Sequence, residues 1–194
     1  VRPKASYAPT EPPPPPPPAL QVRRAVGPVA IDGSLGPDEW FGLHPEQGIL
    51  LAQNEYGNQV QRPSRAWLAH DGEALLVAVD TPVDPQGTLG MGDQWGRDDA
   101  IELAWRELDA AAGAPILVLR GYPSGHFAGS DESGAPAAAV QRAAAGVTYA
   151  ARVVDAGRWT AEWRVPLASL GSVPGKAFRL AFNLSVRKTS PREW

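Results

Sequence analysis

The sequence predicts an all-β fold, an antiparallel, jelly-roll-like β-sandwich preceded by an extended proline-rich segment. Two late segments alternate with a period of two. Trp159, Ala161, Trp163 and Val165 share one face against Thr160, Glu162 and Arg164; Phe178, Leu180, Phe182, Leu184 and Val186 share another against Arg179, Ala181, Asn183, Ser185 and Arg187. One apolar face per strand is the pattern of antiparallel sheets that bury one side. The 21 prolines and 20 glycines are spread along the chain, which favours many turns and short strands over long helices. No βαβ rhythm and no repeat of 20–50 residues is present.

Residues 1–24 read as a tether and residues 25–194 as the sandwich. Pro12–Pro18 is an unbroken proline run. Its fixed φ and missing N–H make it a polyproline II rod of about 3.1 Å per residue, a semi-rigid spacer rather than a ligand for proline-recognising domains. Pro28–Ile31 is a short apolar strand, turned by Asp32-Gly33. Pro37–Trp40 is one helical turn with proline near its start. Ser64–His70 and Glu73–Asp80 form a hairpin about Asp71-Gly72. A long Gly- and Asp-rich loop follows, from Asp80 to Arg97. Ala100–Trp105 and Pro115–Tyr122 are strands, 125–146 is a small-residue loop whose alanine run is weakly helical, and Val147–Val154, Trp159–Val165 and Phe178–Lys188 complete the set.

Composition removes several functions. Lys+Arg total 18 against 21 Asp+Glu, net charge −3, with no basic stripe for nucleic acid. Zero cysteines exclude disulfides, zinc–thiolate sites and a cysteine nucleophile. No apolar run approaches the roughly 18 residues of a membrane span. The chain begins at Val1, as after removal of a leader, and a secreted, periplasmic or bacterial cell-surface location is expected.

No catalytic apparatus is recognisable. Gly125–Ser130 does not fit a nucleophile elbow. His44-Pro45-Glu46 lacks the cysteines of a deaminase site. Gly90-Met91-Gly92 with Gly96 has the wrong spacing for a dinucleotide loop. Three scattered histidines do not make a zinc site. Asp98, Asp99 and Glu102 lie close together, but no second acidic cluster stands opposite, so they read as ligand-bonding or calcium-binding oxygens rather than as a glycosidase pair. Asn183-Leu184-Ser185 matches a glycosylation sequon but lies mid-strand and reads as structural.

Seven tryptophans are the more informative signal. Trp40, Trp67, Trp105, Trp159 and Trp163 accompany aliphatic residues and read as core. Trp95 sits in the loop Gly92–Asp99 without apolar neighbours at strand spacing. It either folds back onto the sandwich or awaits a ligand. Sugar recognition needs a flat apolar surface for the C–H face of the ring and charged groups in plane with its hydroxyls. Trp95, Glu102 and Arg120 supply both kinds.

The ordered set Ile31-Asp32-Gly33, Asp38-Glu39-Trp40, Trp67–Asp80, Trp95–Leu103, Trp159–Leu170 and Phe182-Asn183 resembles the family 9 carbohydrate-binding modules and their wider relatives across most of 25–194. The resemblance implies a non-catalytic β-sandwich that binds oligo- or polysaccharides beside a catalytic module of a glycan-degrading system. It implies that Trp95 is one of two clamping tryptophans, that Glu102 bonds sugar hydroxyls, and that Arg120 lies on the strand carrying polar ligand residues. It further implies a structural Ca2+ near Asp80, with Asp84 as a neighbour. The second clamp tryptophan would lie beyond Ser190–Trp194, so either Trp194 substitutes or the clamp is incomplete. Two alternatives remain. One is a sandwich that binds a protein partner and no sugar. The other is a haem b electron-transfer domain, for which Met91 and His126 would be the axial pair.

Overall fold

The computed structural model describes residues 19–40, 48–111, 113–172, 178–190 and 192–193. The Pro12–Pro18 run and Trp194 lie outside the described residues. Two sheets face one another. One has the order β1-β3-β4-β9-β8, with β2 also paired to β3; the other has the order β11-β10-β5-β6-β7. The strands are β1 (Arg23–Arg24), β2 (Ile49–Gln53), β3 (Gln59–His70), β4 (Ala74–Pro82), β5 (Ala100–Glu107), β6 (Leu117–Gly121), β7 (Phe127–Ser130), β8 (Thr148–Asp155), β9 (Arg158–Pro166), β10 (Leu180–Thr189) and β11 (Arg192–Glu193); α1 covers Ala137–Ala144. The expected β-sandwich is therefore the observed fold.

The core follows the alternation. Val77 and Val79 of β4, Ile101, Leu103 and Trp105 of β5, and Trp159, Ala161, Trp163 and Val165 of β9 fill the space between the sheets. All five tryptophans read as core are buried. The β3–β4 hairpin closes as expected: Asp71 Oδ1 accepts the amides of Glu73 and Ala74 at 2.8 and 2.7 Å. Such a side-chain cap is why Asp-Gly marks tight turns.

Three differences from the sequence reading have physical causes. Strand β2 (Ile-Leu-Leu-Ala-Gln) has no alternation, and β7 (Phe-Ala-Gly-Ser) has small residues and little period to detect. Residues 23–24, placed in the tether, pair in parallel with Ala69 and His70 of β3, and Val22 packs on the main core. The outer face of the first sheet, expected to be polar, is covered. A lap from Ala25 to Trp40 lies over it and makes a second core of Trp40, Trp67, Ala69, Leu76 and Ala78, with Ala25, Val29 and Leu35 packed against it.

One carboxylate fixes this lap. Glu162 points outward from β9 yet is fully buried. Its Oε2 accepts the amides of Asp32 and Gly33 at 3.0 and 2.7 Å, and its Oε1 accepts the Trp40 indole N–H at 2.6 Å. The neighbouring Thr160 hydroxyl donates to the Gly33 carbonyl at 2.6 Å. Gly33 must be glycine twice over: its φ is +85°, and a Cβ would come within 2.8 Å of the Ala151 backbone. Burial holds the Glu162 carboxyl above its ordinary range, against the pull of the Trp40, Gly33 and Asp32 donors.

Replacing Glu162 by Ala strands these donors and should cost about 3 kcal/mol. At roughly 2–4 °C per kcal/mol that is a fall in Tm of roughly 6–12 °C by thermal denaturation. Glu162→Gln, which keeps one acceptor oxygen, should cost less. Because the folded pKa lies above the unfolded one, Glu162 contributes most at low pH and less as pH rises through its raised value. The stability advantage of wild type over Glu162→Gln should shrink in that direction, and a pH-independent gap would contradict the assignment.

Candidate ligand-binding site

With one outer face covered, the second sheet presents the other. The register sets Arg120 of β6 directly opposite Glu102 of β5, and Ser185 of β10 on the far side of Glu102. Arg120 Nε donates to Glu102 Oε2 at 2.8 Å, and Nη2 donates to Glu132 Oε2 at 2.7 Å. The Arg120 and Glu102 side chains are only 10% and 13% exposed, whereas Glu132 is 62% exposed. The guanidinium carbon lies 4.0 Å from the centre of the Trp95 ring, a cation–π contact. The loop tryptophan thus folds back, half-buried, onto a charge.

The loop that carries Trp95 is tied down by its own acids. Asp98 Oδ2 accepts the Gln94 amide at 3.0 Å, while Asp99 Oδ2 accepts the Gly90 amide at 2.7 Å and the Thr189 hydroxyl. Arg187 of β10 donates to the Gly96 carbonyl. At Gly90 the chain passes so close that a Cβ would lie 2.8 Å from the Asp98 and Asp99 backbone. Both aspartates are buried in this duty. Read from the sequence as ligand or calcium oxygens, they accept the loop's own amides and the Thr189 hydroxyl here and so hold the loop.

Burial by itself would make the Arg120 guanidinium easier to deprotonate, but its bonds to Glu132 and Glu102 outweigh that and hold its pKa above the ordinary value. The bond from Arg120 in turn holds the Glu132 carboxyl below its ordinary range. Glu102 and Glu132 share one cation, and Glu132 is ionised at neutral pH. A general acid would need the opposite, a carboxyl held protonated. The arrangement suits binding: an aromatic edge, a fixed guanidinium and two acceptor carboxylates around a groove of about 630 Å³. Its floor is Ala104, Val118 and Ala181, small enough to leave a trough, with Asn183 beside them.

Of the expected site residues, Trp95, Glu102 and Arg120 converge here. Trp194 lies outside the described residues. Asp80 and Asp84 lie elsewhere. Asp80 is held at both oxygens by Arg158, at 2.7 and 3.0 Å, and Asp84 is 3.6 Å from Arg62. Calcium takes six to eight oxygens. Carboxylates already facing guanidinium groups, with no cluster of three or more acidic, histidine or cysteine ligands among the described residues, do not fit that ion. Met91 and His126 are exposed, His126 stacks on Tyr122, and neither lines the groove. Two groove residues escaped the sequence reading. Glu132 follows the unrecognised strand β7. Asn183, read from the sequence as a polar-face strand residue, part of a sequon and part of the Phe182-Asn183 resemblance, was given no ligand role, although its outward phase on β10 places it on this face.

No family model matches the chain, and no curated protein matches it. Among solved structures the chain is similar to a family 9 carbohydrate-binding module from Caldicellulosiruptor kristjanssonii in complex with glucose. That match has 16% identity, 89% of this chain and 82% of that one covered, and a TM-score of 0.64. A structure of such a module from the same organism with cellotriose matches at 16% identity, 89% and 80% coverage and TM-score 0.60. At this identity the likeness is one of fold: the chain has the β-sandwich of these modules.

Arg120→Ala would leave Glu102 nearly buried without its cation and should destabilise by about 3 kcal/mol, a Tm fall of roughly 6–12 °C. Glu132→Gln removes only the exposed partner and should cost under about 1 kcal/mol. Equal losses in thermal denaturation would contradict the unequal burial of the two pairs.

Proposed function

We propose that this protein is a non-catalytic glycan-binding module whose site is Trp95, Arg120, Glu102 and Glu132. One observation carries the reading. An indole and a guanidinium clamped between two carboxylates are prearranged along an open trough, presenting an apolar ring edge and charged hydrogen-bonding groups together. Groups already held in place lose little freedom on binding. The glucose and cellotriose in the two similar structures support a sugar as occupant. In this reading Trp194 is a candidate second aromatic wall. The proline run spaces the module from a catalytic or other partner domain, and the protein works outside the cytoplasm. No helix among the described residues is long and apolar enough to cross a membrane. Calcium has no part in the proposal.

The test is calorimetric titration with cello-, xylo- and manno-oligosaccharides. One series should bind, and Trp95→Ala should weaken it by more than about tenfold. A folded protein that gives no heat with any of them would overturn the reading in favour of a partner-binding sandwich.

A further inference from the structure

A second groove, of about 560 Å³, lies between the β2–β3 hairpin and the outer edge of β10. The two grooves share Glu102 and Asn183, so they adjoin at β5 and β10. The strand register supplies the path. Arg120, Glu102 and Ser185 stand opposite one another on β6, β5 and β10. With strands about 4.8 Å apart, this polar row runs about 10 Å across the sheet, from beside Trp95 toward the second groove. Among the described residues, the far edge of β10 is paired only with β11, at Lys188 and Thr189.

Two hydroxyls in the lining of the second groove make no hydrogen bond within the protein. Ser64 is 2% exposed, lines the groove, and its hydroxyl has no hydrogen-bond partner. The Ser185 hydroxyl, on the facing wall formed by β10, is also buried and unpartnered. Buried hydroxyls are normally bonded, and a serine that turns its enclosed hydroxyl toward a hydroxyl-bearing occupant of the groove relieves that penalty. The exposed amides of Gln53 and Gln59 and the half-exposed Leu50 offer uncharged hydrogen bonds beside an apolar patch, and Glu55 and Lys188 also line the groove.

We infer that this groove is a second subsite, filled by the sugar units that follow those held at Trp95. The module then takes an interior stretch of a polysaccharide and not only its end. The inference rests on the glycan reading of the Trp95 site.

The experiment is titration of the ligand series identified above, from disaccharide to hexasaccharide, against wild type, Ser64→Ala, Gln59→Ala and Trp95→Ala. Wild-type affinity should climb with length by about tenfold. Ser64→Ala and Gln59→Ala should bind the hexasaccharide about three- to tenfold more weakly and the disaccharide within about twofold. Ser64→Ala should not lower the Tm, since the deleted hydroxyl bonds nothing. A hexasaccharide reduced at its end should bind as well as the parent. Trp95→Ala should lose every length. If affinity is flat with length, or Ser64→Ala matches wild type throughout, the second subsite is wrong and the Trp95 site stands. If no length binds, both fall.

Discussion

A buried carboxylate on the outside of a sheet decides which surface this protein has to offer. Two facing sheets have four faces, and the core consumes two. Glu162 binds the lap through the backbone at Asp32 and Gly33 and through the Trp40 indole, and so removes a third. Without that tie, Trp67, Leu76 and Ala78 would face water. The remaining sheet face is the one built from β6, β5 and β10, and the Trp95 groove lies on it. A buried charge is a poor source of net stability, because desolvation offsets most of what its bonds return. Its effect here is to fix one arrangement of the lap.

The site repeats the device with opposite sign. Arg120 is a nearly buried cation on a β-strand, and Glu102, directly across from it, neutralises it within the sheet. Glu132 and Trp95 then complete its surroundings from two loops. A planar guanidinium can bond two carboxylates in its plane while an indole covers its face, which a lysine cannot do. The aspartates of the Trp95 loop contribute indirectly. They spend their acceptors on the loop's own amides, so the tryptophan is delivered by a braced turn rather than a mobile one.

The strands were legible wherever one face was apolar and the other polar. Segments β5, β9 and β10 show that period, and the Asp71-Gly72 hairpin declares its own turn. Segments β2 and β7 do not alternate, so nothing local marks them. Trp95, Glu102 and Arg120 could be picked out because a tryptophan without apolar neighbours is conspicuous, and because a carboxylate and a guanidinium on predicted strands suit a polar ligand. Glu132 could not, since its partnership with Arg120 depends on how β7 folds back. The lap was hidden for a similar reason. Glu162 has the phase of a solvent-facing residue, and only tertiary structure reveals that Trp40 and Gly33 lie over it. The calcium expectation came from the resemblance at Asp80 and did not anticipate that Arg158, on the neighbouring strand but in register with Pro82, bonds both oxygens of Asp80.

The most direct test of the central claim is a nitrogen–proton correlation spectrum of the indole N–H groups, recorded while a binding oligosaccharide is added. Among the described tryptophans, Trp95 is half-buried at the groove and the other five are core. The signal of Trp95, assigned by its absence in Trp95→Phe, should move with saturation. Those of the buried Trp40, Trp67, Trp105, Trp159 and Trp163 should stay within the shifts expected of an undisturbed core. Saturable movement of other signals with Trp95 unmoved would place the ligand elsewhere and contradict the assignment of this face as the binding surface.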